Sequence, residues 1–167
     1  MTKEAKPVRI IPREKAVFSL DKNGNWRSDG EKFRNQRIIN YFHALIKKDA
    51  DGFYLEQEHE DFIDKVYFPC EDTAFFVNRL IERDGLILCL NTGKQIALDP
   101  EKLLIRNDDL YFQSGEDLIK FKENALLALA GYMDDLDGQF VINIGGKRYL
   151  VPMMESSSDT GREDPYV

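Results

Sequence analysis

Apolar positions along this chain follow two rhythms, and they predict two helices set among many short strands. Ile38, Ile39, Tyr41, Phe42, Leu45 and Ile46 recur at helical spacing, with Asn40, Lys47 and Lys48 on the other side. That spacing predicts a helix ending before Asp49-Ala50-Asp51-Gly52, where Gly52 supplies the backbone freedom of a C-terminal boundary. A second helical run, Ala125 to Met133, carries Leu126, Leu127, Leu129, Tyr132 and Met133 and ends before Asp135-Leu136-Asp137-Gly138. Each turn leads into an apolar strand, Phe53 to Leu55 after the first and Phe140 to Ile142 after the second.

The stretch between the helices reads as an antiparallel meander. Phe62 to Phe68 alternates loosely, Ala74 to Ile81 is apolar with breaks, and Leu86 to Leu90 is a continuous apolar run. Arg83-Asp84-Gly85 and Asn91-Thr92-Gly93 are turn signals. Gln95 to Leu98 and Leu103 to Ile105 are short strands separated by Asp99-Pro100, and a last hairpin joins Phe140–Ile144 to Arg148–Val151 through Gly145-Gly146. Many strands with two separated helices indicate an α+β fold rather than a parallel βαβ sheet.

The two halves share a spacing. Asp51 and Asp137 stand 86 positions apart (51 to 137), and so do Gly52 and Gly138, Trp26 and Phe112, and Ser28 and Ser114. A turn, an aromatic strand, a helix, an Asp-x-Asp-Gly turn and a strand therefore recur in one order, which predicts a duplicated strand–helix–strand unit. On this basis residues 1–15 are an extended arm, 16–70 an N-terminal repeat domain, 71–154 a C-terminal repeat domain and 155–167 a disordered tail.

Composition narrows the class. The 167 residues carry a formal net charge of −7, which opposes extended binding to nucleic acid or to an anionic membrane while leaving room for a local basic pocket. No apolar run approaches the roughly 20 residues that span a bilayer, and the charged first residues lack a secretory pattern. A cytoplasmic location is expected, with both cysteines, Cys70 and Cys89, as reduced thiols.

Candidate chemistry is sparse. Asp21, Asn23, Asn25 and Asp29 mimic part of a calcium loop. Its sixth position holds Trp26 instead of Gly and its twelfth holds Lys32 instead of Glu, so an Asn-Gly turn is expected there. His59-Glu60-Asp61 lacks a second nearby His for a metal site, and neither His59 nor His43 stands near a Ser or Cys as a nucleophile pair. Glu71 and Asp72 follow Cys70 and disfavour its thiolate. The pairs Asp49/Asp51 and Asp135/Asp137 fit turn chemistry better than paired-carboxyl catalysis. No phosphate loop, dinucleotide fingerprint or zinc-protease motif occurs, so neither cofactor nor metal is expected. What stands out is basic and amide in character: Arg34, Asn35 and Arg37 at the start of the first helix, Lys65 on a strand, and the Asn91-Thr92-Gly93-Lys94 turn. A helix N-terminus flanked by Arg is suited to an anion.

Gly24-Asn25-Trp26 with Gly30, Ile38 to Phe42, Asp51 to Tyr54, Glu71 to Phe75, the Asn91 turn and Ala125 to Met133 together resemble the bacterial domain-of-unknown-function family 1285, over about Phe18 to Leu150. The resemblance implies a duplicated-domain fold with a C-terminal half loosely like a pleckstrin-homology barrel. It also implies a nucleotide-like ligand in the cleft between the halves and a role in signal transduction, with no established enzymatic activity. Lys65, Asp72 and Asn91 match the residue types usual in that family, whereas Ala74 stands for its Pro, and Tyr67 and Asn35 for its Arg. The expected ligand-binding set is therefore Arg34, Arg37, Lys65, Asp72, Asn91 and Lys94. In it Lys65, Asn91 and Arg37 face an anionic group and Asp72 a sugar hydroxyl or amine. The leading expectation is a non-catalytic ligand-binding or regulatory protein. A protein-interaction adaptor using a sheet edge, and a small hydrolase or transferase, remain as alternatives, and the oligomeric state stays open.

Overall fold

A computed structural model describes residues 5–154. Within it the chain forms two compact units, residues 5–74 with Asn91–Gly93, and Phe75–Leu90 with residues 94–154. The predicted tail, 155–167, and the first four residues of the arm lie outside the described residues. The fold is α+β and dominated by strands, with two short α-helices and several sheets.

The first unit holds β1 (Val8–Ile11), β2 (Ser19–Leu20), β3 (Trp26–Ser28), β4 (Glu31–Lys32), α1 (Gln36–Ala44), β5 (Ile46–Asp49), β6 (Gly52–Glu58) and β7 (Ile63–Tyr67). One sheet runs in the order β1-β7-β6-β5 and a smaller one in the order β2-β3-β4. Between β2 and β3 the calcium-loop mimic is a capped turn. Asp21 Oδ1 accepts the N–H groups of Asn23 and Asn25, and Oδ2 accepts Arg27 Nε at 2.8 Å. Trp26 is buried, with Phe18, Phe42 and Phe68 packed edge-on around it at centroid distances of 5.0–5.8 Å. These rings make the core of this unit.

Val8–Ile11 of the N-terminal arm form a strand, and Arg13–Lys15 a single 3-10 turn. Arg9 donates from Nε and a terminal nitrogen to the two oxygens of Asp64, at 2.7 and 3.0 Å, and His59 Nε2 shares Asp64 Oδ2 at 3.0 Å. This forked pairing fixes the parallel register of β1 on β7, in which Arg9 lies opposite Asp64.

The second unit holds β8 (Phe76–Glu82), β9 (Leu86–Leu90), β10 (Gln95–Ala97), β11 (Leu103–Arg106), β12 (Asp109–Ser114), β13 (Asp117–Phe121), α2 (Glu123–Ala130), β14 (Met133–Leu136), β15 (Gln139–Ile144), β16 (Lys147–Val151) and β17 (Met153–Met154). Seven strands form one sheet, β10-β9-β8-β13-β12-β11-β17, and β14-β15-β16 form another. The meander is antiparallel as its turns predict, but parallel contacts join β8 to β13 and β11 to β17. Ala125 and Leu129 of α2 are fully buried in an aliphatic core with Leu88, Leu103, Ile142 and Val151.

Both helices end earlier than the apolar spacing predicts. Ile46 fits a helical stripe and a strand equally, and tertiary pairing decides for the strand: the carbonyl of Leu45 accepts the N–H of Glu56, and Ile46 lies opposite Leu55. Likewise α2 stops with Gly131 at its C-cap, the carbonyl of Tyr132 accepts the N–H of Asn143, and Met133 begins a strand opposite Ile142.

Candidate functional site

The basic and amide residues singled out in the sequence have different local duties. Asn35 is the N-cap of α1, where its Oδ1 accepts the N–H groups of Arg37 and Ile38 at 3.0 and 3.2 Å. The cap therefore occupies the donors that an anion would seek at this helix start. Arg34 and Arg37 flank it, both exposed, and neither makes an ion pair among the described residues.

Lys65 lies on β7, and its neighbours come from β5, β6 and β7 itself. Its Nζ donates to Asp49 Oδ2 at 2.9 Å, the Tyr67 hydroxyl donates to the same oxygen at 2.6 Å, and Nζ sits 4.3 Å from the centre of the Tyr54 ring. The Tyr67 hydroxyl and the Lys65 ammonium together pull the Asp49 carboxyl down to about 2, and Asp49 in turn raises Lys65 above the usual lysine range. Lys65 is thus a charge already balanced by its own sheet. No hydrogen bond or ion pair among the described residues joins it to Arg34, Arg37 or Asn91.

Asn91 is built into the first unit. Its amide nitrogen donates to the carbonyl of Ala74 at 2.9 Å and reaches Nδ1 of the buried His43 at 3.1 Å. Asp72 lies half-buried in the loop after Cys70, and its N–H is bonded to that sulfur. Burial pushes the Cys70 thiol up to about 11; the Asp72 N–H opposes this and the negative charges of Asp72 and Glu71 add to it, so the thiol is not a ready nucleophile near neutral pH. Burial, which the sequence did not show, outweighs the acidic neighbours it did. Lys94 belongs to the second unit, where it is exposed in the turn between β9 and β10. The Asp49/Asp51 and Asp135/Asp137 pairs stand in turns: Asp49 Oδ1 accepts the N–H of Asp51, and Asp135 Oδ1 that of Gly138.

Sequence reasoning missed a concavity in the second unit. In the second unit a pocket of about 450 Å³ opens between the β11–β12 hairpin, α2, the β14–β15 hairpin and β17. Its wall is mostly apolar and is formed by Ile105, Leu110, Leu126, Met133, Phe140 and Met153. Its more exposed lining is acidic: Asp108, Asp109, Asp134 and Asp135. Asp109 is paired with the buried Lys120 at 3.3 Å, and Asp134 accepts the Asn143 amide at 2.8 Å. Among the described residues no group of three His, Cys, Asp or Glu side chains is placed to hold a metal ion. Nor is any helix among them long and apolar enough to cross a membrane.

This architecture, a strand-rich α+β chain with two short helices, is one seen in solved proteins of uncharacterised function. The fold is that of DUF1285 family proteins: the chain is similar to the crystal structure of a DUF1285 family protein from Silicibacter pomeroyi DSS-3, with a TM-score of 0.59, 15% sequence identity, and coverage of 95% of this chain and 87% of that one. A DUF1285 family protein from Shewanella baltica OS155 matches 66% of this chain and 87% of its own, with a TM-score of 0.48 and 16% identity. No family model matches the sequence. No curated protein matches it.

Proposed function

We propose that this protein is a non-catalytic, regulatory small-molecule-binding protein whose ligand enters the pocket of its second unit. The observation that carries this reading is the pocket itself. About 450 Å³ falls within the range of roughly 300–1,000 Å³ typical of ligand sites, and an apolar wall with a few polar groups at its mouth is the usual composition of such sites. Thermal-shift screening of the whole chain against a chemically varied set of small molecules, nucleotides included, tests it. A ligand at about 100 times its Kd stabilises by about 2.7 kcal/mol, a shift easily read. If no compound moves the melting temperature at millimolar concentration, the reading fails.

A reading of the two units as a diverged duplication also supports it. In the first unit β3 pairs with β4 through Arg27↔Lys32 and Ser28↔Glu31; in the second β12 pairs with β13 through Gln113↔Leu118 and Ser114↔Asp117, every partner shifted by 86 (27 to 113, 32 to 118). From the helices on, the shift becomes 87. It relates Gln36 to Glu123 at the helix starts, Leu45 to Tyr132 and Glu56 to Asn143 in the bonds that follow the helices, and the pairs Asp49↔Gly52 and Leu136↔Gln139 in the hairpins. One inserted residue thus separates two otherwise parallel runs, where the sequence suggested a single ungapped spacing. On these equivalences Ala130 corresponds to the buried His43, and Asp108, Asp134 and Asp135 correspond to Lys22, Lys47 and Lys48. The small Ala130 leaves space where the first unit places an imidazole, and the charge of the mouth is reversed.

A second reading keeps the nucleotide-like ligand of the family resemblance and places its phosphate on Arg34 and Arg37. Its support is that these two exposed guanidinium groups have no ion-pair partner among the described residues. Adenine and guanine nucleotides, tested on the native chain and on a chain with Arg34→Ala and Arg37→Ala, separate the two: loss of a nucleotide-induced shift in the variant favours this reading.

A further inference from the structure

We propose that the ligand of the second-unit pocket is a small organic cation, an amine or guanidine joined to a compact apolar body. This rests on the pocket reading above and adds the chemistry of the occupant. Burial decides the apolar half: Ile105 and Leu110 are buried at the base, while Leu126, Met133 and Phe140 stay partly open and Met153 is well exposed. These side chains gain by covering one another only when something apolar lies among them. The two methionines have flexible, polarisable side chains that can follow the outline of a ring or a branched chain.

Charge decides the other half. Four carboxylates line the pocket, and among the described residues only Asp109 is ion-paired, to Lys120. Among the described residues Asp108, Asp134 and Asp135 have no cationic partner of their own. Arg148 approaches Asp134 only through the Asn143 amide, which donates to Asp134 while its oxygen accepts Arg148 Nε at 3.2 Å. An anion brought to this mouth is repelled, a neutral molecule leaves the carboxylates without counter-charge, and an ammonium or guanidinium satisfies them with charge-assisted bonds. The carboxylates do not converge as a metal site does, which suits a bulky cation whose charge is held at the mouth while its body fills the wall.

The test uses three probes of one shape: phenylbutylamine, phenylbutanol and phenylbutyrate, titrated into the whole chain at low salt and followed by calorimetry and NMR. The amine is expected to bind about tenfold or more tighter than the alcohol, as one partly solvated charge pair would give. The carboxylate is expected to bind weakest, and the amine's advantage to shrink in salt. In a chain with Asp108→Asn and Asp134→Asn the amine and alcohol should bind alike. Asn tolerates the positive φ of 66° at position 108, so this variant is expected to keep the fold, which circular dichroism checks. Equal binding of amine and alcohol by the native chain, or tighter binding of the carboxylate, overturns the cation inference and leaves the pocket reading in place. Binding of none of the probes or screened compounds overturns both.

Discussion

The indole N–H of Trp26 ends on Nδ1 of His43, 3.3 Å away, inside the first unit. Indole N–H is a donor only, so Nδ1 must be the acceptor. The Asn91 amide nitrogen, 3.1 Å away, is a second donor to the same atom, and the ring proton therefore sits on Nε2. Nitrogen-15 NMR of His43 is expected to show the neutral Nε2–H tautomer. Asn91→Ala takes from the Ala74 carbonyl the donor that Asn91 supplies and leaves His43 Nδ1 with the Trp26 N–H. It is expected to cost roughly 1–3 kcal/mol in denaturant unfolding. A negligible cost would mean that Asn91 is not built into the unit as described.

Asp49 gives the fold a dependence on acid. Its folded carboxyl is held at about 2, below the ordinary value of 3.8, by the Tyr67 hydroxyl and Lys65. A group depressed in this way contributes stability above its unfolded value and loses it as pH falls through its folded value. Stability is therefore expected to decline between about pH 4 and pH 2, with part of that slope removed in Asp49→Asn, as urea unfolding across this range would show. Tyr67→Phe removes the largest cause and is expected to move the loss to higher pH.

Gly52 opens β6 with φ at +123°, a conformation that L residues rarely adopt. A β-carbon there would also meet the Arg13 guanidinium at 2.5 Å, the group that donates to the Asp51 carbonyl. Because the arginine end can swing aside, backbone strain should dominate. Gly52→Ala is expected to destabilise by roughly 1–3 kcal/mol, and adding Arg13→Ala should recover little of it. Full recovery in the double variant would place the cost in the side-chain contact instead.

Cys70 should be a poor nucleophile despite being only partly buried. With its thiol raised to about 11, alkylation in the native chain is expected to be much slower than in urea at pH 8 and to accelerate toward pH 11. Rapid native labelling at neutral pH would contradict this environment.

The sequence made the turns and strands readable because their signals are local. Asp84-Gly85 and Asp137-Gly138 all take positive φ, and Leu86–Leu90 forms a strand with the bounds its apolar run predicts. Helix ends were less readable, since Ile46 and Met133 satisfy both periods until a partner strand claims them. The parallel place of β1 was hidden in the Arg9–Asp64 bond, between residues far apart in sequence. Lys65 carried a basic signal but no sign of the Asp49 and Tyr67 that neutralise it. The pocket left no local trace: Ile105, Leu126, Met133, Phe140 and Met153 come from five elements, and the small Ala130 that borders it reads as an ordinary helix residue.

The most direct measurement is methyl NMR of the whole chain labelled at its four methionines while phenylbutylamine is added. Met133 and Met153 line the pocket and Met154 does not, so the first two resonances are expected to shift together with one saturating curve. Unmoved Met133 and Met153 signals in a titration where the amine binds elsewhere, or does not bind, would contradict the central claim.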